Sequence, residues 1–280
     1  MDITATPTLP ETMPEELSLL AKAGQEAGSI AMSFFQRDPE VWTKGDSSPV
    51  SEADLAVDTY LRETLLKERP DCAWVSEETA VSDERLAMEH AFVVDPIDGT
   101  RAFIAGEETW GVSIAFVSGG RPVAAAFICP ALGETFLAAA GCGAFLNDHR
   151  LIARQDDLNL PVAGPSRMRD AIQALGTDVA GIWPRHIPSL AYRLVMVARG
   201  DLRAAFARRN SHDWDIAAAD LILAETGCEL LEVAENRVAS AVSYNSETIR
   251  RGVLYSAPHN AADSLLDVAK HMADQPGFGR

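Results

Sequence analysis

Asp95-Pro96-Ile97-Asp98-Gly99-Thr100 is the stretch around which this chain is organised. Two acids separated by two residues are followed at once by Gly and Thr. The preceding run, Ala91-Phe92-Val93-Val94, has the character of a short buried strand. The acids therefore stand where a strand ends and the chain turns. Pro96 lacks an N–H and stiffens that turn. Gly99 permits close backbone approach, and Thr100 can cap a following helical turn. Carboxylate oxygens beside backbone N–H groups at a strand end can hold a divalent cation and a phosphate together.

Upstream, Ala73-Trp74-Val75-Ser76 reads as a strand that delivers Glu77 and Glu78 at its end. Alone, such a pair is ordinarily solvated; with Asp95 and Asp98 it makes a four-acid candidate cluster. Before it, Lys44 to Val50 is a turn-rich loop, and Lys44 gives it a second role as a flap near a ligand. Ser51 starts a helix with Asp54 three residues on, the spacing of a capping acid. Residues 1–13 read as a polar arm. Thr12 and Glu15 have capping-box spacing before a helix that runs to about Gln36, with Leu20, Ala23, Ala27, Ile30 and Phe34 on its apolar stripe.

Downstream, Trp110–Val117 and Pro122–Cys129 form a hairpin across Ser118-Gly119-Gly120, and Glu134–Ala139 adds a strand. Gly141 to Asn147 closes the meander with turn residues. After about residue 155, short strands near Val162, Ala204 and Cys228–Val233 alternate with helices near Met168–Leu175, Leu190–Arg199, Trp214–Thr226 and Ala261–Met272. The expectation is a mixed α/β chain in two tightly packed units. Residues 1–155 would carry two helices and an antiparallel sheet, and 156–280 an α/β half with a mostly parallel sheet. In that second half, Asp215 follows His212-Asp213-Trp214 at the start of an Ala-rich helix. It is either a plain helix cap or a carboxylate that the small Ala face lets approach the acid cluster.

The chain has 280 residues, 47% of them hydrophobic, and a formal net charge of −17. No basic stripe speaks for nucleic acid polymers or anionic membranes. An anionic substrate would need bound cations to invert the local field. Cys72, Cys129, Cys142 and Cys228 have no paired spacing and read as core thiols of a reducing cytosol. No signal peptide or membrane span is expected, which also speaks against an exported ligand-binding protein. There is no GxSxG elbow, no HExxH and no glycine-rich nucleotide loop.

The DPIDGT run, the upstream Glu77-Glu78, and the downstream Trp214-Asp215-Ile216-Ala217-Ala218 with Glu225-Thr226-Gly227 resemble the inositol monophosphatase family, in order and spacing, from Lys44 to about residue 257. The resemblance implies a layered αβαβα fold and a Mg²⁺-dependent, lithium-sensitive phosphomonoesterase, commonly a homodimer. It implies that Glu77 and Asp95 hold a first Mg²⁺ with the Ile97 carbonyl. Asp95 would bridge to a second ion held by Asp98 and Asp215, and Glu77 could reach a third, weaker one. Asp54 would pair with Thr100, which with Glu77 orients the attacking water, while the N–H groups of Gly99 and Thr100 hold the phosphate. The chemistry is coherent, because paired Mg²⁺ ions activate a water and neutralise a leaving alkoxide without a covalent intermediate.

Departures bear on the substrate. Ser76 and Ala219 stand where Gly is usual. Arg208, seven residues before Asp215, stands where family members acting on inositol phosphates often carry a Glu. Arginine suits a second phosphate or carboxylate; a solvated strand-end Arg is the plain alternative. The loop from Lys44 looks like the short version in bacterial histidinol-phosphate phosphatases and bisphosphate nucleotidases. The default substrate is a small polyol phosphate such as inositol 1-phosphate. The alternatives are a 3′(2′),5′-bisphosphate nucleotide, histidinol phosphate, which an Arg beside its amine would disfavour, and a non-catalytic metal-binding regulatory role.

Overall fold

The structure, a computed structural model, describes residues 14–37, 39–43, 49–80, 82–165, 168–233 and 239–274. The chain opens with α1 (Glu15–Phe34), a short antiparallel pair β1 (Val41–Thr43) and β2 (Pro49–Ser51), and α2 (Glu52–Glu68). The expected first-helix cap at Thr12 and the loop lysine Lys44 lie outside the described residues. Then come β3 (Ala73–Ser76), β4 (His90–Asp98), the short α3 (Thr100–Ile104), β5 (Gly111–Ser118), β6 (Arg121–Cys129), β7 (Glu134–Ala139), β8 (Gly143–Leu146) and β9 (His149–Arg150). These strands form a seven-stranded sheet in chain order.

The second half holds β10 (Val162–Ala163), α4 (Met168–Leu175), α5 (Leu190–Arg199), β11 (Ala204–Ala207), α6 (Asp213–Ala224), β12 (Cys228–Val233), β13 (Ala239–Ala241), β14 (Val253–Pro258) and α7 (Ala262–Asp274). Its five strands are ordered β10-β11-β14-β12-β13.

Three apolar clusters give the layers. Leu17, Leu20 and Ala27 of α1 and Val57 and Leu61 of α2 pack on Phe92, Val94, Ile114 and Ile128 of the larger sheet. The opposite face of that sheet, with Val75, Val93, Ala115 and Phe127, meets Leu194 of α5 and Ile216 and Ala217 of α6. The same cluster continues to Ala205, Leu230 and Leu254 of the smaller sheet. Beyond it, Phe206, Val253 and Tyr255 pack against Met168 of α4 and Leu265 and Val268 of α7. The order is helices, sheet, helices, sheet, helices, the layered α/β fold expected from the sequence.

Strand direction departs from expectation. The smaller sheet is not mostly parallel: only β10 and β11 run parallel, and β14 lies between β11 and β12 antiparallel to both. Strand–helix alternation predicted crossovers, but β14 was not legible, and its insertion reverses the neighbours on each side. In the larger sheet the β3–β4 edge is parallel while the other pairings are antiparallel. Phe103 and Trp110, just after the DPIDGT run, are core.

Candidate active site

The two acids of the DPIDGT run lie inside β4 rather than beyond its end. In a regular pleat, residues three apart point to opposite faces. Here Asp95 pairs with Ser113 and Asp98 with Gly111, so β4 carries one residue more than β5 across the interval. That bulge turns Asp98 back to the side of Asp95. Asp215, in the first turn of α6, completes a group whose three carboxylates each bring an oxygen within 4.8 Å of the others. The helix end reaches them through the middle layer, where Ser113 of β5 donates to the Trp214 carbonyl at 3.3 Å.

Each carboxylate is anchored from its back. Ile97 N–H donates to Asp95 Oδ1 at 3.1 Å. His212 N–H donates to Asp215 Oδ2 at 2.7 Å, so Asp215 is a helix cap and a cluster member at once. Asp98 accepts from the Ser189 hydroxyl and from the N–H groups of Ala191 (2.8 Å) and Leu190 (3.2 Å), the first turn of α5. Ser51 N–H and Oγ donate to Asp54 Oδ2 at 2.8 and 2.6 Å, which caps α2 as the sequence predicted. The other Asp54 oxygen receives Thr100 Oγ1 at 3.3 Å, and that hydroxyl also lies 3.1 Å from the Ile97 carbonyl. Asp54 thus links the helix cap to the DPIDGT turn.

Charge crowding shows in the acids' proton affinities. Burial, then the nearby Glu77, Asp98, Asp215 and Asp54, raise Asp95 well above the usual carboxylate range. Burial and then Asp98 raise Asp215 likewise. Burial pushes Asp54 and Asp98 up to about 6 despite their hydrogen bonds. Glu77 acts on all four through its charge, which places it in the same electrostatic cluster. Mutually repelling, backbone-anchored carboxylates are the donor set of a hard divalent cation, so the residues fit Mg²⁺.

Beside the cluster lies a cleft of about 520 Å³ lined by Glu77, Gly99, Thr100, Arg193, Arg208 and Ser211, among others. Gly99 makes the turn into α3 with φ +97, and a Cβ there would stand 3.1 Å from both Ser189 Cβ and the Thr109 carbonyl oxygen. Arg208 is exposed at the mouth. The sequence reading missed Arg193 and Ser189. An arginine in the otherwise apolar run of α5 was the available signal.

A profile of the inositol monophosphatase family matches residues 13–271. An inositol-1-monophosphatase of Rhizobium meliloti is 32% identical over 235 residues, 75% of this chain and 83% of that protein. A 3′(2′),5′-bisphosphate nucleotidase CysQ of Aggregatibacter actinomycetemcomitans is 30% identical over 214 residues, 72% and 79% of the two chains. A histidinol-phosphatase of Mycobacterium tuberculosis is 31% identical over 243 residues, 81% and 91%.

Proposed function

The chain belongs to the inositol monophosphatase family, and from that premise we propose that it is a Mg²⁺-dependent hydrolase of a small phosphorylated alcohol. The observation that carries the reading is the approach of Asp95, Asp98 and Asp215 to within 4.8 Å of one another beside a cleft lined by Glu77, Gly99 and Thr100.

In this reading Asp95, Asp98 and Asp215, with Glu77 and the Ile97 carbonyl, hold two Mg²⁺ ions, and Glu77 reaches a weaker third. Bound there, the ions supply a more acidic water and charge neutralisation at the phosphate and the leaving oxygen. The chain does the rest. Asp54, fixed by Ser51, orients the Thr100 hydroxyl. Thr100 and Glu77 position the attacking water, and the N–H groups of Gly99 and Thr100 hold the phosphate oxygens. The water attacks opposite the leaving alcohol, with no enzyme nucleophile.

A polyol phosphate such as inositol 1-phosphate is the family's default substrate. Three differently named relatives leave a bisphosphate nucleotide and histidinol phosphate as rivals. Lithium inhibition and a homodimer accompany the reading. The four free thiols support a cytoplasmic setting; no helix among the described residues is long and apolar enough to cross a membrane.

Phosphate release with Mg²⁺, with and without lithium or a chelator, tests it on inositol 1-phosphate, adenosine 3′,5′-bisphosphate, histidinol phosphate and fructose 1,6-bisphosphate. Release that stops on chelation is expected. Calorimetric Mg²⁺ binding with no release from any substrate would replace catalysis by the metal-binding regulatory role.

A further inference from the structure

Arg193 lies in the second turn of α5, only 9% exposed, and lines the cleft. Its Nε is buried without a hydrogen-bond partner among the described residues. A buried guanidinium with an unused donor is costly and calls for an explanation. Arg208 lines the same cleft, as do His186 and Arg101. The charges of Arg193, Arg208 and Arg101 all act on His186, which places the four groups together. The cleft therefore gathers three guanidinium groups, Arg101, Arg193 and Arg208, together with Glu77, in a chain of net charge −17; the charge of Glu107 also acts on His186.

Metal ions held by the acid cluster would neutralise the scissile phosphate by themselves, so a buried guanidinium lining the same cleft is available to a second anionic group. Asp98 offsets part of the Arg193 charge, but in the metal-loaded site that carboxylate is shared with a cation. We propose that Arg193, assisted by Arg208, binds a second oxyanion on the leaving alcohol, so that the preferred substrates are phosphomonoesters that also carry a phosphate or carboxylate. This rests on the phosphatase reading above and specifies its substrate class. Guanidinium donors in a fork match either oxyanion. A site that buries an unpaired donor discriminates strongly against substrates that leave it unpaired.

Matched substrates test it: adenosine 3′,5′-bisphosphate against adenosine 3′-phosphate, and 2-phosphoglycerate against glycerol 2-phosphate, each with Mg²⁺. In one pair or both, the doubly anionic member should be favoured at least tenfold in kcat/KM, mainly through KM. Which pair shows it identifies phosphate or carboxylate. Arg193→Met should cut that ratio at least tenfold, Arg193→Lys should restore part of it, and Arg208→Gln should cut it less. A wild-type enzyme without preference in either pair overturns the proposal. So does a loss in Arg193→Met that is equal for both members of a pair, which would make Arg193 a counter-ion of Asp98. Calorimetry with adenosine 5′-phosphate and with glycerate supplies a readout without turnover. Tenfold weaker binding of either in folded Arg193→Met supports the oxyanion site even if nothing is hydrolysed, whereas unchanged binding of both overturns it.

Discussion

Asp98 accepts the Ala191 N–H at 2.8 Å, so a carboxylate of the larger sheet is tied to the helix in the middle layer. Donors aligned at a helix N-terminus favour a negative charge there. The link also sets α5, and with it Arg193, in a fixed place relative to the acid cluster.

That relationship separates two variants that would otherwise look alike. Asp98→Asn and Asp215→Asn should each lower kcat/KM at least about 100-fold through loss of metal binding. Asp98 faces three donors, and an amide cannot accept from all of them as a carboxylate does. Asp98→Asn should therefore also cost roughly 1–3 kcal/mol of stability. Asp215→Asn keeps an oxygen for the His212 N–H and should melt close to wild type. Mg²⁺ titration calorimetry and thermal melts of both variants check the contrast; near-normal turnover in either would remove it from the metal set.

Thr100→Val removes a hydroxyl and preserves shape. Asp54 keeps its two bonds from Ser51, so α2 stays capped. The expected result is a fall in kcat of about 100-fold, with a melting temperature close to wild type. A variant that turns over normally would deny Thr100 a part in placing the water.

Gly99→Ala meets two obstacles: the positive φ, and contacts of 3.1 Å with Ser189 Cβ and the Thr109 carbonyl. Left-handed backbone costs a non-glycine residue roughly 1–2 kcal/mol. Pushing Ser189 away would also loosen its bond to Asp98. Denaturant melts should show a loss of that order together with weaker Mg²⁺ binding. Loss of stability with intact Mg²⁺ affinity would confine the effect to the turn.

Away from the site, Asp220 is buried against Tyr244 (3.0 Å), and burial pushes it up to about 6. Its folded form holds a proton more tightly than the unfolded chain, whose carboxylate titrates near 3.8. The stabilisation from this proton is fully present below about pH 4 and is lost as pH rises through about 6, at most roughly 3 kcal/mol. Asp220→Asn cannot lose it. Between pH 4.5 and pH 8 the melting temperature of wild type should fall by several degrees relative to that of the variant. Parallel curves would place the Asp220 titration outside this window.

Much of the fold was legible because it is written in local periodicity. The four later helices stand within a residue or two of their expected spans, and Glu134–Ala139 and Cys228–Val233 are strands at the expected bounds. Gly141 to Asn147 read as turns because of its glycines, yet Gly143–Leu146 pairs as a strand. Asp54 read as a cap, and it is one; its second bond, to Thr100, joins residues distant in the chain and has no local signal.

The sequence by itself determined which acids are present, which of them sit at helix starts, and the family to which they belong, since composition, spacing and capping are properties of short segments. Tertiary structure decided that a bulge turns Asp98 to the side of Asp95, that α6 brings Asp215 to both, and that Arg193 reaches the cleft from within an apolar helix. The physical reason is that side-chain direction in a bulged strand, and burial between two sheets, depend on what the partner strands and layers supply.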